Sequence, residues 1–211
     1  MAPATSSARL LAGAIHYALG SLTRVTPGLL AGPTPCAAWD LATLLEHISD
    51  SLAALYEGIA TGHVALAPAI AGDPAERLVA AVREQATRLL VASAIAEQAG
   101  QEADIAIGDR CLAGRMLAAV GAVEIAAHGW DVAEACGGHR PIPPALAAGI
   151  LDLVPLVVTD ETRDVRFAAP VDVSPLASPG DRLVALLGRR PPGPVIRARG
   201  AWPGADSGPG R

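Results

Sequence analysis

The sequence contains no lysine, so all 16 of its cationic side chains are arginine. Together with the abundance of Ala, Gly and Pro, this absence indicates the codon bias of a GC-rich bacterial genome rather than a function. Aromatic residues are equally scarce, at 3% of the chain. Because β-sandwiches draw on aromatic and β-branched side chains, this shortage favours closely packed helices rich in Ala and Leu.

Cysteine and positive charge are also too sparse for a disulfide-rich protein or a nucleic-acid-binding protein. The three cysteines, Cys36, Cys111 and Cys136, are an odd number without a CxxC pair, which argues against a disulfide framework. The formal net charge is -5, and no basic patch precedes an aromatic platform, so we expect no nucleic-acid partner. We expect a cytoplasmic protein in a reducing compartment.

The apolar run near the N-terminus, from Leu10 to Ile15, is interrupted by His16 and Tyr17. It is too short to span a membrane and lacks a convincing cleavage site, so we expect no membrane association. A hydrophobic fraction of 51% in 211 residues is enough for one compact domain with a sizeable core. We expect a small-molecule substrate as partner and leave a homodimer open.

Apolar side chains recur at helical spacing in five segments of the chain. Residues typical of helix ends bound these segments, such as Asp40 before the second and Gly137 after the fourth. The predicted helices are residues 6–25, 41–60, 73–97, 113–136 and 143–158. Between the third and fourth helices, residues 105–107 are interpreted as a short strand or an extended crossover.

Four long amphipathic helices with one longer crossover predict an all-α protein built as a four-helix bundle. We expect the bundle to comprise residues 1–160, and a short mixed extension over 161–190 to pack on it. Within the extension, residues 165–173 are predicted to be extended and residues 181–187 to form a short helix. From Arg189 the chain is rich in Pro and Gly, which indicates disorder and predicts a disordered tail over 191–211.

Three polar residues lie on the apolar face of the fourth predicted helix: Glu124, His128 and Asp131. At about 100° per residue they share the face of Leu117 and Val120, which should be turned inward. Buried carboxylates and imidazoles are costly unless they are paired, hydrogen-bonded or bound to a metal. The i, i+4 spacing of Glu124 and His128 lets both side chains converge on one ion.

Each candidate also has a structural interpretation. A lone Glu-x-x-x-His pair is as consistent with a buried ion pair as with a metal site. Asp131 is a third ligand, a hydrogen-bonding partner that orients His128, or a carboxylate held by an arginine. His47, on the shoulder of the second helix's apolar stripe, is a ligand from a facing helix or a half-exposed surface histidine. Cys36, just before that helix, is interpreted as a small buried residue in a turn more readily than as an activated thiol.

Two motifs in the chain resemble those of a known family. Residues 34–41, TPCAAWDL, and residues 44–47, LLEH, are similar to the TPC-x-x-W-x-V-x-x-L-x-x-H segment of the mycothiol-dependent maleylpyruvate isomerase N-terminal family, within the DinB-like superfamily. Residues 124–133, EIAAHGWDVA, resemble that family's E-x-x-x-H-x-W-D-L-A segment. The ending, from Phe167 to Arg189, is similar to that of its single-domain actinobacterial members.

The resemblance implies a DinB-like four-helix bundle that carries one divalent metal ion, usually zinc. The implied ligands are His47 from the second helix, and Glu124 and His128 from the fourth. Two imidazoles and one carboxylate leave positions open for water or substrate, as in catalytic zinc sites. The same ligands would also suit iron.

The chemistry implied by the resemblance uses mycothiol, a low-molecular-weight thiol, as cosubstrate. A bound metal lowers the pKa of the thiol and presents a thiolate to a small electrophile. We therefore expect a metal-dependent thiol S-transferase or isomerase, although the catalytic residues are not identified. The alternatives are a non-enzymatic metal-binding or sensor module and a plain helical interaction protein. About 50 residues follow the fifth predicted helix, too few for the separate C-terminal domain of the two-domain isomerase, so maleylpyruvate is not the expected substrate.

Overall fold

The computed structural model describes residues 5–36, 39–64, 75–99, 104–107, 110–158 and 167–192. Within these ranges the protein is mostly helical, as the sequence predicts. The helices are α1 (Ser7–Ser21), α2 (Leu41–Thr61), α3 (Ala75–Gln98), α4 (Gly114–Ala135), α5 (Pro144–Val157) and α6 (Pro179–Leu186). The start predicted for the third helix, at Asp73 and Pro74, lies outside the described residues.

Local capping explains where the first two helices begin. The Ser6 hydroxyl accepts a hydrogen bond from the Arg9 N–H at 3.3 Å and so caps α1. The Asp40 carboxylate accepts from the Thr43 N–H at 2.8 Å, which confirms its predicted role as the cap of α2. That helix ends at Gly62, whose φ of 72° is left-handed.

Helix α4 lies at the centre of the helical core, where it packs against α1, α2 and α5. Its glycines permit this close approach: a Cβ at Gly121 would lie 2.8 Å from Leu55 Cδ1, and one at Gly129 would lie 3.0 Å from Ala18 Cα. By length and composition α4 could cross a membrane, but 83% of its apolar window is buried inside the protein. This burial is what a core helix shows.

A small three-stranded sheet departs from the all-α prediction. Strand β1 (His63–Val64) pairs in parallel with β2 (Asp104–Ile107), and β2 pairs antiparallel with β3 (Arg110–Ala113). β2 confirms the strand interpretation of residues 105–107. The other two strands are not predicted, because β1 has only two residues and β3, with the sequence RCLA, lacks the alternating isoleucines that mark β2.

The C-terminal extension includes α6, whose buried residues Leu183 and Val184 belong to the hydrophobic core. α6 contacts α5 and lies where the short helix at 181–187 is predicted. The segment predicted to be extended, 165–173, forms no strand in its described part. Disorder from Arg189 onward is a wrong prediction for that residue, because its side chain is buried and hydrogen-bonded to Asp131. Residues 193–211 lie outside the described ranges, so the disordered tail stays a prediction.

Candidate metal centre

Helices α2 and α4 bring the three predicted ligands together. His47 Nε2 lies 2.7 Å from Glu124 Oε1, and His128 Nε2 lies 3.4 Å from the same oxygen. One donor atom from each of the three side chains lies within 4.8 Å of the other two. The i, i+4 spacing on α4 therefore produces the convergence that it predicts, and α2 supplies the third group.

These three side chains lie on the wall of a cavity. Their exposure increases outward, from 7% for His128 to 23% for Glu124 and 34% for His47. The cavity has a volume of about 710 Å³, within the range of small-molecule sites. Its apolar wall residues include Trp39, Leu55, Val64, Ile107, Leu117 and Val120, and Cys36, Ser51 and Arg189 also line it.

Asp131 lies behind the centre and is fully buried, with 0% of its surface exposed. Its Oδ2 atom lies 2.9 Å from His128 Nδ1 and accepts a hydrogen bond from Arg189 Nη2 at 2.8 Å. Arg189 Nε also donates to the second carboxylate oxygen, Oδ1, at 3.2 Å. Two of the roles considered for Asp131, orienting His128 and pairing with an arginine, thus have their contacts in the structure.

A second donor set shares His128 with the first. Cys36 Sγ, His128 and Asp131 also place donor atoms within 4.8 Å of one another. In this set, however, a cation is already present: the Arg189 guanidinium contacts Asp131 and lies 3.4 Å from Cys36 Sγ through Nη2. No arginine contacts the set formed by His47, Glu124 and His128 among the described hydrogen bonds and ion pairs, and imidazoles, unlike a guanidinium, lose their proton to bind a metal. This set is therefore the better candidate for a metal ion.

Hydrogen bonds at this centre set the charge of its groups. Burial raises the pKa of Glu124, but hydrogen bonds and positive charge from His128 and His47 more than offset it and hold that pKa well below its ordinary range. Burial lowers the pKa of His128, but its hydrogen bonds to Asp131, Cys36 and Glu124 raise it well above the ordinary value. The centre therefore keeps Glu124 ionised, the form in which a carboxylate binds a cation.

Two residues of the site are missed by sequence reasoning. Trp39, which immediately precedes the cap of α2, has its ring centroid 4.6 Å from that of His47 and 5.9 Å from that of His128. Its place in the TPC-x-x-W segment is the signal that links it to the site. Arg189 offers no comparable signal, because it lies 58 positions from Asp131 in a segment rich in Pro and Gly.

Comparisons with known proteins agree with these features. The family model described as "Mycothiol maleylpyruvate isomerase N-terminal domain" matches residues 11–133, more than half of the chain. Two curated relatives, the uncharacterized proteins MT0763 and Rv0738 of Mycobacterium tuberculosis strains CDC 1551 and H37Rv, are each 27% identical over 170 residues. Those residues cover 80% of this chain and 89% of each relative. No solved structure matches the chain.

Proposed function

This chain belongs to the mycothiol maleylpyruvate isomerase N-terminal domain family, and on that premise we propose that it is a metal-dependent thiol S-transferase or isomerase. Its substrate is a small electrophile, and its cosubstrate is mycothiol or a similar thiol. One observation carries the proposal: two imidazoles and a carboxylate converge on the wall of an apolar cavity. We also propose that α1 to α4 form a DinB-like four-helix bundle.

The chemistry of the donor set fits a divalent ion, with zinc as the first choice. His47, Glu124 and His128 offer two nitrogens and one oxygen, a combination that catalytic zinc sites use while keeping a further position for water or substrate. An ion held there would supply the Lewis acidity that lowers the pKa of a bound thiol toward neutrality.

The chain's own residues support a thiol reaction in three ways. The ionised Asp131 carboxylate accepts a hydrogen bond from Nδ1 of His128, which leaves Nε2 of that ring directed toward Glu124. The Trp39 ring lies against both imidazoles and covers one side of them. The mostly apolar walls of the cavity give a thiol and an electrophile a space of low polarity in which to meet.

Metal analysis tests the ligand set. Protein purified without chelator should carry about one equivalent of zinc or a similar divalent ion per chain. The His128→Ala, His47→Ala and Glu124→Gln variants should each lose most of it, because two remaining ligands hold zinc poorly. His16→Ala, which removes an exposed histidine, is the matched control. Full occupancy in both His47→Ala and Glu124→Gln would show that the ligands are different ones.

Cobalt substitution tests the thiol chemistry. Sulfur coordination to cobalt gives a strong near-ultraviolet charge-transfer band. We expect this band when mycothiol or a close analogue is added at pH 7, where a free thiol with a pKa of about 8.5 is mostly protonated. The His47→Ala protein should not show it. A cobalt spectrum that responds to azide but to no thiol would rule out the thiol mechanism and leave an open metal site.

The role of Asp131 is tested by the Asp131→Asn variant. Because the hydrogen bond to His128 orients a ligand, its loss should weaken zinc affinity by roughly 10–100-fold while the protein stays folded. Zinc affinity is measured by competition with a chelator, and folding by circular dichroism. Unchanged affinity together with a loss of stability would make Asp131 a purely structural group.

A further inference from the structure

The turn that follows α6 directs one side chain back into the helical core. The Gly188 N–H donates to the Ala185 carbonyl at 3.0 Å, and the Arg189 N–H donates to the Val184 carbonyl at 2.9 Å. This pattern closes the helix around Gly188, whose φ of 83° is left-handed. A Cβ at Gly188 would lie 2.6 Å from the Ala168 carbonyl oxygen, so the turn requires glycine. The direction of Arg189 is therefore built into the end of α6.

The Arg189 guanidinium is fully engaged with groups near the centre. Nε and Nη2 donate to the two oxygens of Asp131, at 3.2 and 2.8 Å, in the bidentate geometry that gives arginine–carboxylate pairs their strength. Nη1 donates to the Leu187 carbonyl at 2.9 Å. The side chain is 7% exposed, and its guanidinium lies 5.8 Å from the centre of the Phe167 ring.

These contacts form a chain that runs from the C-terminal extension to the candidate ligand. Arg189 holds both oxygens of Asp131, and Oδ2 of Asp131 lies 2.9 Å from Nδ1 of His128. A carboxylate held at both oxygens cannot rotate without breaking a charge-assisted hydrogen bond in a buried setting. The orientation of the His128 ring is therefore coupled to a residue beyond the segment 11–133 that the family model matches.

We propose that Arg189 is a positioning residue of the metal centre: it fixes Asp131, which in turn holds His128 with Nε2 directed toward Glu124 and His47. The proposal rests on the proposed function, since it assigns a role at the same site. It makes the C-terminal extension part of that site. Among the described contacts, Arg189 forms no hydrogen bond or ion pair with His47, Glu124 or His128, and it acts on His128 through Asp131, although its side chain also lines the cavity.

If Arg189 had only a structural role, its loss would lower stability but leave zinc affinity unchanged. Zinc affinity therefore separates a positioning role from a structural one. In Arg189→Met, zinc affinity measured by chelator competition should fall by about 10–100-fold, as for loss of any group that orients a metal ligand. Arg189→Lys should recover only part of it, because lysine cannot pair with both carboxylate oxygens. Arg190→Ala, which removes the exposed neighbouring arginine, is the matched control and should keep wild-type affinity. Wild-type affinity in Arg189→Met, even with lower stability, would overturn the proposal.

A double-mutant cycle tests whether Arg189 acts through Asp131. Once Asp131→Asn has removed the carboxylate, adding Arg189→Met should weaken zinc binding far less than it does alone. Two independent, additive losses of affinity would overturn the proposed chain of contacts.

A measurement on the metal-free protein separates this inference from the proposed function. The His128 Nδ1–H, hydrogen-bonded to a buried carboxylate, should give an imidazole proton signal in NMR that exchanges slowly with water. Arg189→Met should abolish that protection, and Arg190→Ala should preserve it. An unchanged signal in Arg189→Met would overturn the inference whether or not the protein binds zinc. Failure of the wild-type protein to bind zinc would overturn the proposed function instead.

Discussion

A single carboxylate, Asp131, shows how much at this site depends on contacts between side chains. Burial alone raises the pKa of Asp131, but the hydrogen bond with His128 and the charge of Arg189 lower it below the ordinary value. The Cys36 thiol donates to the same carboxylate, with Sγ 3.3 Å from Oδ2. A buried charge satisfied in this way is tolerated, whereas removing one partner would leave it partly uncompensated.

Tyr17 is a second buried titratable residue, and it lies outside the candidate site. Its hydroxyl donates to the Arg140 carbonyl, and the Arg140 guanidinium lies 4.6 Å from the centre of its ring. Burial raises the pKa of Tyr17 above the ordinary value of about 10, although the charge of Arg140 lowers it in part. The folded state therefore favours the neutral phenol.

The sign of this shift predicts a loss of stability at alkaline pH. Because the pKa of Tyr17 is higher in the folded than in the unfolded chain, its contribution is complete below pH 10 and declines as the pH rises above that value. Urea unfolding across this range should show a falling free energy of unfolding for the wild type and a shallower fall for Tyr17→Phe. Tyr56→Phe, on α2, is the control. Identical profiles for the wild type and Tyr17→Phe would contradict the assignment.

At the scale of elements, α4 depends on small residues to pack closely. Gly129 lies between His128 and the buried Trp130, and it faces α1 at Ala18. An added methyl group would meet the Ala18 backbone at 3.0 Å, a contact that only a shift of α1 or α4 relieves. Since His128 immediately precedes Gly129 on α4, that shift would also disturb the candidate ligands.

Gly129→Ala should therefore destabilise the protein by about 1–3 kcal/mol, the usual cost of overpacking a core. Alanine is the better helix former by up to about 1 kcal/mol, so any net loss of stability is a lower limit on the cost of the packing contact. Gly28→Ala is the control, because a Cβ there meets nothing within 4 Å. Urea unfolding of both variants measures the difference. A Gly129→Ala protein as stable as the wild type would show that the two helices separate at little cost.

Helices long enough to repeat an apolar pattern several times could be predicted from the sequence, whereas short strands and contacts between distant residues could not. The apolar stripe and the Asp40 cap predict α2, and the polar triad on α4 predicts the convergence of Glu124 with His128. β1 has two residues, and its partner β2 begins 40 positions later, so no local pattern marks the pair. The contact of Arg189 with Asp131 likewise depends on tertiary packing. The two residues are far apart in the sequence, and no spacing pattern links them.

At the scale of the whole molecule, the centre connects parts of the chain that are far apart in sequence. Trp39 comes from the segment before α2, His47 from α2, and Glu124 and His128 from α4. Arg189, which follows α6, holds the Asp131 carboxylate behind them. An ion held between α2 and α4 would be lost on unfolding, because these helices then separate. Binding free energy at such a site is therefore also folding free energy.

Zinc should accordingly raise the melting temperature of the protein as its concentration rises. At a free concentration about 100 times the Kd, the expected stabilisation is about 2.7 kcal/mol. Calorimetry with and without chelator measures this shift. The His47→Ala protein should show little of it, and His16→Ala should match the wild type. Equal zinc-dependent stabilisation in His47→Ala would place the ion elsewhere.

The closeness of the Trp39 indole to His47 and His128, with ring centroids 4.6 and 5.9 Å apart, gives the centre an intrinsic optical signal. Indole emission responds to the charge and hydration of its neighbours, so anything that engages both imidazoles should change the fluorescence of the unlabelled protein. Trp130 and Trp202 supply the rest of the emission, against which that change is measured. Trp39→Phe should then be silent to added zinc while Trp130→Phe still responds, and titrations could be followed by light alone.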